Sequence, residues 1–365
     1  MKEFKILVIN PGSTSTKLSL YVNEKCQFTD DVFHDSSVLK TFKTINDQLD
    51  YRMNVIYDFI DKNKINLTNL DAIASRGGPS FSVTSGTYIV DDKLIKDTKE
   101  YKGGLYHSSM LGVQMAKIIQ SKYGGQIFMS DPTVVDEYSD LARVTGIDGI
   151  YRKAICHALN LKVVARKFAK SIDKKYEDLN LIVCHIDGGI TITAHEHGKM
   201  VDGNDGGGGE GPFTPTRMGS MAVTDVVRYL WGKPKEEILN LCSCTGGLSN
   251  YFGTSNSDVI HNLVGKDKKV TRTWKAMLYQ VAKQIGSMSA VLKGKVDGIV
   301  LTGGLMRFDD VYEFINEYCS WIAPIKVYAG EYEQEALALN ALRVLRKEEE
   351  PKIYSGKPVW NGFDD

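Results

Sequence analysis

The stretch KILVINPGSTSTKLSLYV, residues 5–22, decides the fold. An apolar run at residues 6–9 is followed by the turn Asn10-Pro11-Gly12, and then by a segment in which apolar and polar residues alternate. Short apolar runs bounded by glycine are typical of buried strands, and alternation is typical of a strand with two different faces. The stretch therefore predicts two strands that are joined by a polar turn into a hairpin.

A second stretch, residues 181–201, has the same plan. It contains the apolar run LIVCHI, the turn Asp187-Gly188-Gly189 and the alternating segment ITITA. Asn10 and Asp187 hold the corresponding positions of the two turns and are separated by roughly half of the 365 residues. Self-similarity at a fixed offset indicates internal duplication. We therefore expect two lobes whose matching hairpins face each other across a central cleft.

Further short apolar runs alternate with longer segments of helical periodicity. Strands are predicted at 71–74, 127–129 and 299–301, and helices at 112–122, 151–172, 223–230 and 274–292. Alternating strands and helices are typical of α/β proteins whose sheets carry helices on their faces. The predicted lobes are residues 1–155, completed by a C-terminal helix at about 336–365, and residues 156–335.

Composition and charge exclude several classes of protein. The chain is 42% hydrophobic and 25% charged, which is close to the average for globular domains and excludes disordered and coiled-coil proteins. Its 45 basic and 45 acidic residues balance, so we expect neither nucleic acid nor an anionic membrane as a partner. The first apolar run is too short for a signal peptide or a spanning helix. We therefore expect a cytoplasmic protein.

The turn at residues 10–17 carries an amide, four hydroxyl groups and Lys17. Glycine and hydroxyl side chains in a tight turn leave N–H and O–H donors for phosphate oxygens, and lysine adds a positive charge. No Gly-Lys pair of the chain is followed by Ser or Thr, so the Walker A type of phosphate loop is excluded. A plain polar hairpin turn is the alternative interpretation.

Four other residues extend this candidate site. Arg76 and Asp131 each follow a predicted strand, His157 lies in a predicted helix, and Arg217 follows a glycine-rich loop at 203–211. Ligand sites of α/β proteins open at strand ends, and we expect the glycine-rich loop to be mobile. Two guanidinium groups with a carboxylate for magnesium fit phosphoryl transfer.

His195 and His197 resemble a metal-binding pair. They lie two residues apart near the end of a predicted strand, before Gly198. We expect them to be solvated side chains instead of metal ligands.

A set of collinear motifs resembles the butyrate kinases, the short-chain fatty-acid branch of the acetate kinase family. The motifs are INPGSTSTK (9–17), SRGG (75–78), HSSMLG (107–112), SDPTVVDE (130–137), RKAICHALN (152–160), HIDGGI (185–190), GEGPFTPTR (209–217), TGGL (302–305) and EALALNALRVL (335–345). They span nearly the whole chain. The resemblance implies a duplicated RNase-H-like fold, shared with sugar kinases and actin, and makes the second lobe the nucleotide-binding one.

The resemblance also implies roles for single residues. It makes Arg76, Asp131, His157 and Arg217 catalytic residues, and His107 and Cys156 part of the substrate pocket. The residues implied in binding the nucleotide are Asn10, Ser13, Ser15, Lys17, His185, Gly188, Gly189, Gly303 and Gly304. Magnesium would be organised by Glu335, through water, and by Asp131, with ATP or ADP as the co-substrate.

The implied reaction is phosphorylation of butyrate by ATP, or its reverse, by direct in-line transfer. The implied partners are these small molecules and further copies of the chain in a homo-oligomer. Asp187 departs from the glycines that relatives carry in this turn, and an acidic side chain beside polyphosphate repels it unless magnesium intervenes or the carboxylate points away. Two alternatives stay open: a kinase for acetate, propionate or a branched acid, and a non-catalytic nucleotide-binding protein.

Overall fold

The computed structural model describes residues 2–78, 80–102 and 107–363, and the chain divides into two compact units. Unit 1 comprises Met1–Asp136 and Tyr332–Asp365, and unit 2 comprises Glu137–Glu331. The division therefore falls at 136/137 and 331/332, whereas the sequence predicted 155/156 and 335/336.

Hydrogen bonds explain why the first boundary comes earlier than predicted. The backbone N–H of Ser139 donates to the carbonyl oxygen of Val201 at 2.9 Å. Arg152 forms an ion pair with Asp202, with 2.8 Å between Nη1 and Oδ1. Residues 137–155 are thus bonded to the interior of unit 2, and the sequence pattern of the duplication carries no signal for such bonds.

Within its described residues, unit 1 contains a seven-stranded sheet. Its spatial order is β12 (Lys352–Ile353), β5 (Thr87–Ile89), β6 (Gln126–Ser130), β4 (Ala72–Arg76), β1 (Lys5–Pro11), β2 (Ser15–Val22) and β3 (Lys25–Phe33). Strand β2 is antiparallel to both β1 and β3, while β1, β4 and β6 are parallel. The predicted hairpin is confirmed, with Asn10 opposite Lys17 in the register.

Helices cover this sheet because its central strands are apolar on both faces. Residues 6–9 of β1 have no exposed surface, as expected for strands of a parallel sheet. The helices of unit 1 are α1 (Ser36–Leu39), α2 (Leu49–Lys62), α3 (Asp92–Lys99), α4 (Leu111–Tyr123) and α13 (Glu333–Leu345). Helices α4 and α13 pack against β1, β4 and β6, and α2 packs against β2.

The C-terminal helix is shorter than the predicted 336–365. Helix α13 ends at Leu345, and Lys347 has a left-handed backbone with φ of 60°. Pro351 follows, and proline has no N–H with which to continue a helix. The chain then forms the short strand β12, and residues 364 and 365 lie outside the described residues.

The sheet of unit 2 repeats the central part of the first sheet. Its order is β11 (Ile325–Ala329), β10 (Gly298–Gly303), β7 (Asn180–Ile186), β8 (Ile190–Glu196) and β9 (Lys199–Gly203). Strand β8 is antiparallel to β7 and β9, while β7, β10 and β11 are parallel. Order and directions match β6-β4-β1-β2-β3. The predicted α/β fold with two related lobes is therefore present.

The helices of unit 2 surround a separate core. They are α5 (Asp140–Arg143), α6 (Ala158–Ser171), α7 (Val223–Leu230), α8 (Lys235–Ser243), α9 (Gly247–Phe252), α10 (Ser257–His261), α11 (Lys268–Val291) and α12 (Asp309–Cys319). Trp274 of α11 is fully buried in this core. Helix α6 begins at Ala158, seven residues later than predicted. No helix among the described residues combines the length and apolar character that crossing a bilayer requires.

His195 is buried, so the expectation that it is solvated is wrong. It lies in β8, which is flanked by β7 and β9, and it has no exposed surface. Its Nδ1 lies 2.6 Å from the Tyr176 hydroxyl and its Nε2 lies 2.8 Å from Thr193 Oγ1. Burial lowers its pKa well below the ordinary value, and the nearby cations Lys162 and Arg166 lower it further.

A second buried histidine, His34, makes the stability of unit 1 depend on pH. Burial lowers the pKa of His34 from 6.5 to about 4, and Arg52 lowers it further while Asp31 opposes this. The unfolded chain therefore binds the proton first as the pH falls, and stability is lost between these two values. We predict that the free energy of unfolding falls as the pH drops from about 6.5 to about 4, and falls less steeply in His34→Gln. Urea unfolding of both proteins measures the two slopes, and equal slopes would exclude His34 as the source.

Candidate functional site

The predicted phosphate turn of unit 1 presents exposed polar groups above a buried base. Ser13 and Thr14 are exposed, whereas Asn10 and Ser15 are buried. The N–H of Gly12 donates to the carbonyl oxygen of Ser15 at 2.8 Å and closes the turn. The strand pairing of β1 and β2 thus fixes both ends of the turn, and its tip is open to a ligand.

Lys17 lies on β2, opposite Asp31 on β3. Its Nζ is 3.8 Å from the Asp31 carboxylate, and the Lys17 side chain is 30% exposed. The positive charge predicted for the phosphate turn is therefore shared with a carboxylate of the same sheet. At this exposure the ion pair contributes little to stability.

Asn10 and Arg76, which were both predicted, are brought together by Glu333. Asn10 Nδ2 donates to Glu333 Oε2 at 2.8 Å, and Arg76 Nη1 lies 3.2 Å from the same oxygen. The Arg76 side chain is 17% exposed and that of Glu333 is 11% exposed. The carboxylate thus both accepts from the amide and balances the guanidinium charge.

Sequence reasoning missed Glu333, which lies two residues before Glu335, the glutamate predicted to organise magnesium. Both lie in α13, but two residues of an α-helix differ by about 200° around its axis. The structure brings Glu335 close to Tyr21, whose pKa is raised mainly by burial and in smaller part by the charges of Cys26 and Glu335. The spacing of the glutamates at 331, 333 and 335 does not indicate which of them contacts Asn10. The hydrogen bond in the folded chain identifies Glu333.

His107 joins the same turn through Ser13. Its Nδ1 accepts from the backbone N–H of Ser109 at 3.1 Å, and its Nε2 lies 3.1 Å from Ser13 Oγ. Because Nδ1 is an acceptor, the proton of the neutral ring is on Nε2, which donates to Ser13. The predicted residues Ser13 and His107 are therefore in direct contact.

Asp131, which follows β6, binds the turn at residues 85 and 86 through its carboxylate. Its Oδ1 accepts from Ser85 Oγ at 2.7 Å and from the N–H of Gly86 at 2.8 Å. Its backbone has φ of 40°, which is unusual for a residue with a side chain, and the residue is 2% exposed. These bonds commit one carboxylate oxygen to the turn before β5.

In unit 2, the predicted residues His157 and His185 stack on each other. Their ring centroids are 4.0 Å apart with an interplanar angle of 22°. His157 Nδ1 lies 3.1 Å from Thr191 Oγ1, and His185 Nδ1 accepts from Asn160 Nδ2 at 2.9 Å. The structure thus brings the residue at the start of α6 and a residue of β7 into direct contact, as members of one predicted site.

Asp187 occupies backbone donors of the second predicted phosphate turn. Its Oδ1 accepts from the N–H of Gly188 at 2.8 Å, and its Oδ2 accepts from the N–H of Gly304 at 2.7 Å. The carboxylate thus joins the β7–β8 turn to the chain after Gly303, and is turned onto the protein's own N–H groups. Two of the glycines predicted to bind the nucleotide, Gly188 and Gly304, have these donors engaged.

Arg217 lies across the same turn, with its guanidinium group against Gly189. Its Nε and Nη1 are buried and have no hydrogen-bond acceptor among the described residues. A Cβ added to Gly189 would lie 2.1 Å from Nη1, so only glycine allows this approach. Burial lowers the pKa of Arg217 from its ordinary value, and the charge of Asp205 opposes the shift. Buried donors without acceptors beside a glycine turn are suited to an oxyanion.

The glycine-rich loop predicted to be mobile closes on Asp205. The carboxylate oxygen Oδ1 of Asp205 accepts from the N–H groups of Gly207 and Gly208, at 2.7 and 2.9 Å. The N–H of Asp205 donates to Glu210 Oε2 at 2.8 Å. The loop therefore has internal hydrogen bonds that the glycine count did not indicate.

Cys156 is 2% exposed, and its Sγ lies 3.9 Å from Met200 Sδ. It precedes His157 directly, but this contact is with β9 of the same unit. The geometry favours a core role for Cys156 over lining the substrate pocket.

The comparisons with known proteins agree with this fold. Residues 138–310, a little under half of the chain, match the model of the acetokinase family. The acetate kinase of Porphyromonas gingivalis is 17% identical, with 94% of this chain and 100% of that chain covered and a TM-score of 0.75. A propionate kinase from Francisella tularensis is 18% identical, with 92% and 98% covered and a TM-score of 0.72. The acetate kinase of Entamoeba histolytica is 15% identical, with 93% and 98% covered and a TM-score of 0.73.

At these identities the structures show the fold, which is the mixed α/β fold with two sheets found in acetate kinases. The predicted fold class is confirmed. The family-model match supports the acetate kinase family, which is the broader part of the resemblance.

The contact between Gly189 and Arg217 gives a direct test of the unit 2 site. Gly189→Ala places a methyl group where Nη1 now lies, so we predict that it displaces the guanidinium and weakens binding of inorganic phosphate at least about tenfold. Gly188→Ala is the matched control, since a Cβ there meets no atom within 4 Å. Calorimetric titration of the full chain measures both constants. Equal phosphate affinity in the two variants would show that Arg217 holds no anion.

Proposed function

We propose that the protein is a carboxylate kinase that transfers a phosphoryl group between ATP and a short-chain fatty acid, with butyrate as the preferred acid. The fold of acetate and propionate kinases and the family match at 138–310 support this proposal. A cytoplasmic location and a homo-oligomeric state stay predictions of the resemblance.

The observation that carries the proposal is the guanidinium of Arg217. Its buried Nε and Nη1 lack acceptors within the described residues, and a charge buried without a partner is costly. A transferring phosphoryl group supplies what is missing, because its equatorial oxygens carry the charge that develops in the transition state. Hydrogen-bond donors that are already held in place where charge develops in the transition state make one of the largest contributions to catalysis.

Unit 1 offers groups for the same chemistry. Arg76 carries a second guanidinium, held by Glu333 and Asn10. The described residues contain no group of three or more His, Cys, Asp or Glu side chains able to hold a metal. Magnesium typically takes one or two carboxylates of the protein and otherwise phosphate oxygens and water, so Glu335, through water, and Asp131 stay the proposed carboxylates for this ion. Bound magnesium neutralises charge on the phosphates.

The acceptor needs no general base. Carboxylic acids with a pKa near 4–5 are ionised at neutral pH, so the acid attacks the phosphorus atom as a carboxylate. Asp131 therefore has no proton to remove, and its bonds to Ser85 and Gly86 fit a positioning role. The carboxylate and the phosphoryl group are both anionic and repel each other. The positive charges of the arginines reduce this repulsion and let the two groups approach.

Asp187 favours a second candidate function, a nucleotide-binding protein without turnover. Its carboxylate occupies the N–H groups of Gly188 and Gly304, and its charge opposes the approach of polyphosphate. This candidate predicts that ATP binds but that no acyl phosphate forms.

We predict that Arg217→Ala lowers kcat by about 10²–10³-fold, the range found for electrostatic stabilisers of a transition state. The affinity for MgATP, measured by calorimetry, should stay within about threefold of wild type, because the lost contact is with the transferring group. Trapping the acyl phosphate with hydroxylamine measures kcat.

Arg228→Ala is the control, since Arg228 lies in the same unit with its side chain 79% exposed. It should retain the wild-type rate. Wild-type kcat and KM in Arg217→Ala would remove Arg217 from the site. A wild-type protein that binds ATP but forms no acyl phosphate would favour the second candidate.

The preference for butyrate rests on a difference in side-chain size. Acetate kinases carry phenylalanine before the histidine that matches His157, whereas this chain has Cys156. A smaller side chain leaves room for a longer acyl chain if it faces the substrate, and Met200 is the contact that argues for the core instead.

We predict that kcat/KM rises from acetate through propionate to butyrate. Two buried CH₂ groups contribute about 1.6 kcal/mol, which is about fifteenfold. A coupled ATP assay over these acids and isobutyrate measures the order. Cys156→Phe shifts the preference toward acetate if Cys156 lines the pocket, while a lower melting temperature at an unchanged ratio assigns Cys156 to the core alone. A wild-type preference for acetate would contradict the proposal of butyrate.

A further inference from the structure

An arginine that belongs to none of the sequence motifs lies behind the phosphate turn of unit 1. Arg52 is in the first turn of α2 and has no exposed surface. Its Nη1 donates to the carbonyl oxygen of Ser15 at 3.1 Å and to Thr16 Oγ1 at 2.9 Å. Its Nη2 reaches the carbonyl oxygen of Ser13 at 3.5 Å. One guanidinium therefore holds three groups of the turn at residues 13–16.

No carboxylate in the described part of the chain forms a hydrogen bond or ion pair with Arg52. Its remaining donor, Nε, bonds to the neutral amide of Gln48 at 3.0 Å. Within the described residues, all of its hydrogen-bond acceptors are thus uncharged groups. Burial lowers the pKa of Arg52 from 12.5 to about 10, so the side chain stays cationic at neutral pH. A buried cation with only neutral partners costs stability, and an anion near the turn reduces that cost.

The bonds of Arg52 also decide which way the turn presents its donors. In a trans peptide unit, the carbonyl of one residue and the N–H of the next point in opposite directions. Because Arg52 binds the carbonyl of Ser13, the N–H of Thr14 points away from the buried guanidinium. Both Ser13 and Thr14 are exposed, and their N–H groups donate to no acceptor in the described part of the chain. These donors remain for a ligand.

We propose that Arg52 is a positioning residue, which orients the turn at residues 13–16 so that its outward N–H and hydroxyl groups bind phosphate oxygens, and whose charge is balanced by the bound phosphate. The inference rests on the proposed function for the identity of the ligand, a nucleoside polyphosphate. The anion site itself is testable without turnover.

The first experiment measures binding of inorganic pyrophosphate to the full chain by calorimetry. Arg52→Lys and Arg52→Gln should each weaken binding about tenfold. Lysine keeps the charge, but its ammonium lacks the planar fork that reaches several acceptors at once. With MgATP, KM should rise by a similar factor while kcat changes less, which a general loss of folded protein does not produce.

Arg143→Lys and Arg143→Gln are the matched controls. Arg143 is also a buried helical arginine, 4% exposed, and it donates to the carbonyl oxygen of Tyr138 at 3.1 Å. These variants remove a buried guanidinium elsewhere and should bind pyrophosphate as the wild type does.

Thr16→Val covers the case in which the Arg52 variants do not fold. It removes one acceptor of Nη1 at nearly constant volume and should weaken pyrophosphate binding about threefold. Wild-type affinity in folded Arg52→Gln, or in Thr16→Val if the former is unfolded, would overturn the proposal, as would a wild-type chain that does not bind pyrophosphate. Pyrophosphate binding that depends on Arg52 in a chain that phosphorylates no acid would support the inference and refute the kinase.

Discussion

The pairing of one strand with two different neighbours organises each unit. Strand β1 is antiparallel to β2, its neighbour in sequence, and parallel to β4, which begins about sixty residues after β1 ends. Strand β7 stands in the same relation to β8 and β10. The turn of each hairpin therefore emerges at the carboxyl ends of parallel strands, the edge at which α/β proteins bind ligands. The polar residues of the two predicted phosphate turns therefore lie at these edges.

The arginine next to the hairpin turn is placed differently in the two units. In unit 1, Arg52 lies under the turn and binds its carbonyl groups. In unit 2, Arg217 lies over the turn, against the Cα of Gly189, with two nitrogens that lack acceptors among the described residues. One cation shapes the turn that it contacts, and the other is free to meet a ligand. The same arrangement of strands thus holds a buried arginine in two different ways, one bonded to the turn and one with unbonded nitrogens among the described residues.

The features that could be predicted from the sequence have a local cause. Both hairpins and helix α7 follow from apolar runs, alternation and turn residues, which act over a few neighbouring positions. The contacts between Ser13 and His107 and between His157 and His185 were anticipated only as members of one site, through the motifs. Their distances come from the folded chain.

The features that could not be predicted depend on contacts between distant segments. Glu333 was missed because only its bond to Asn10, 323 positions away, distinguishes it from Glu335. Arg52 was missed because a buried arginine in an amphipathic helix has the same sequence pattern as an exposed one. The early domain boundary depends on the ion pair between Arg152 and Asp202. Alternation alone cannot show that His195 is covered, since that depends on what packs over its strand.

The split composition of unit 1 has a consequence for synthesis on the ribosome. Unit 2 is one continuous segment, whereas unit 1 needs residues 332–363 to supply helix α13 and strand β12. Strands β1 and β4 thus leave the ribosome long before the helix that packs on them. Helix α4 is already available to cover part of their apolar surface, but the part that α13 covers stays exposed while the whole second unit is made, an interval in which nascent chains are prone to aggregate. The carboxylate of Glu333 belongs to that later segment, so the cluster with Asn10 and Arg76 is completed only after the second unit has been made.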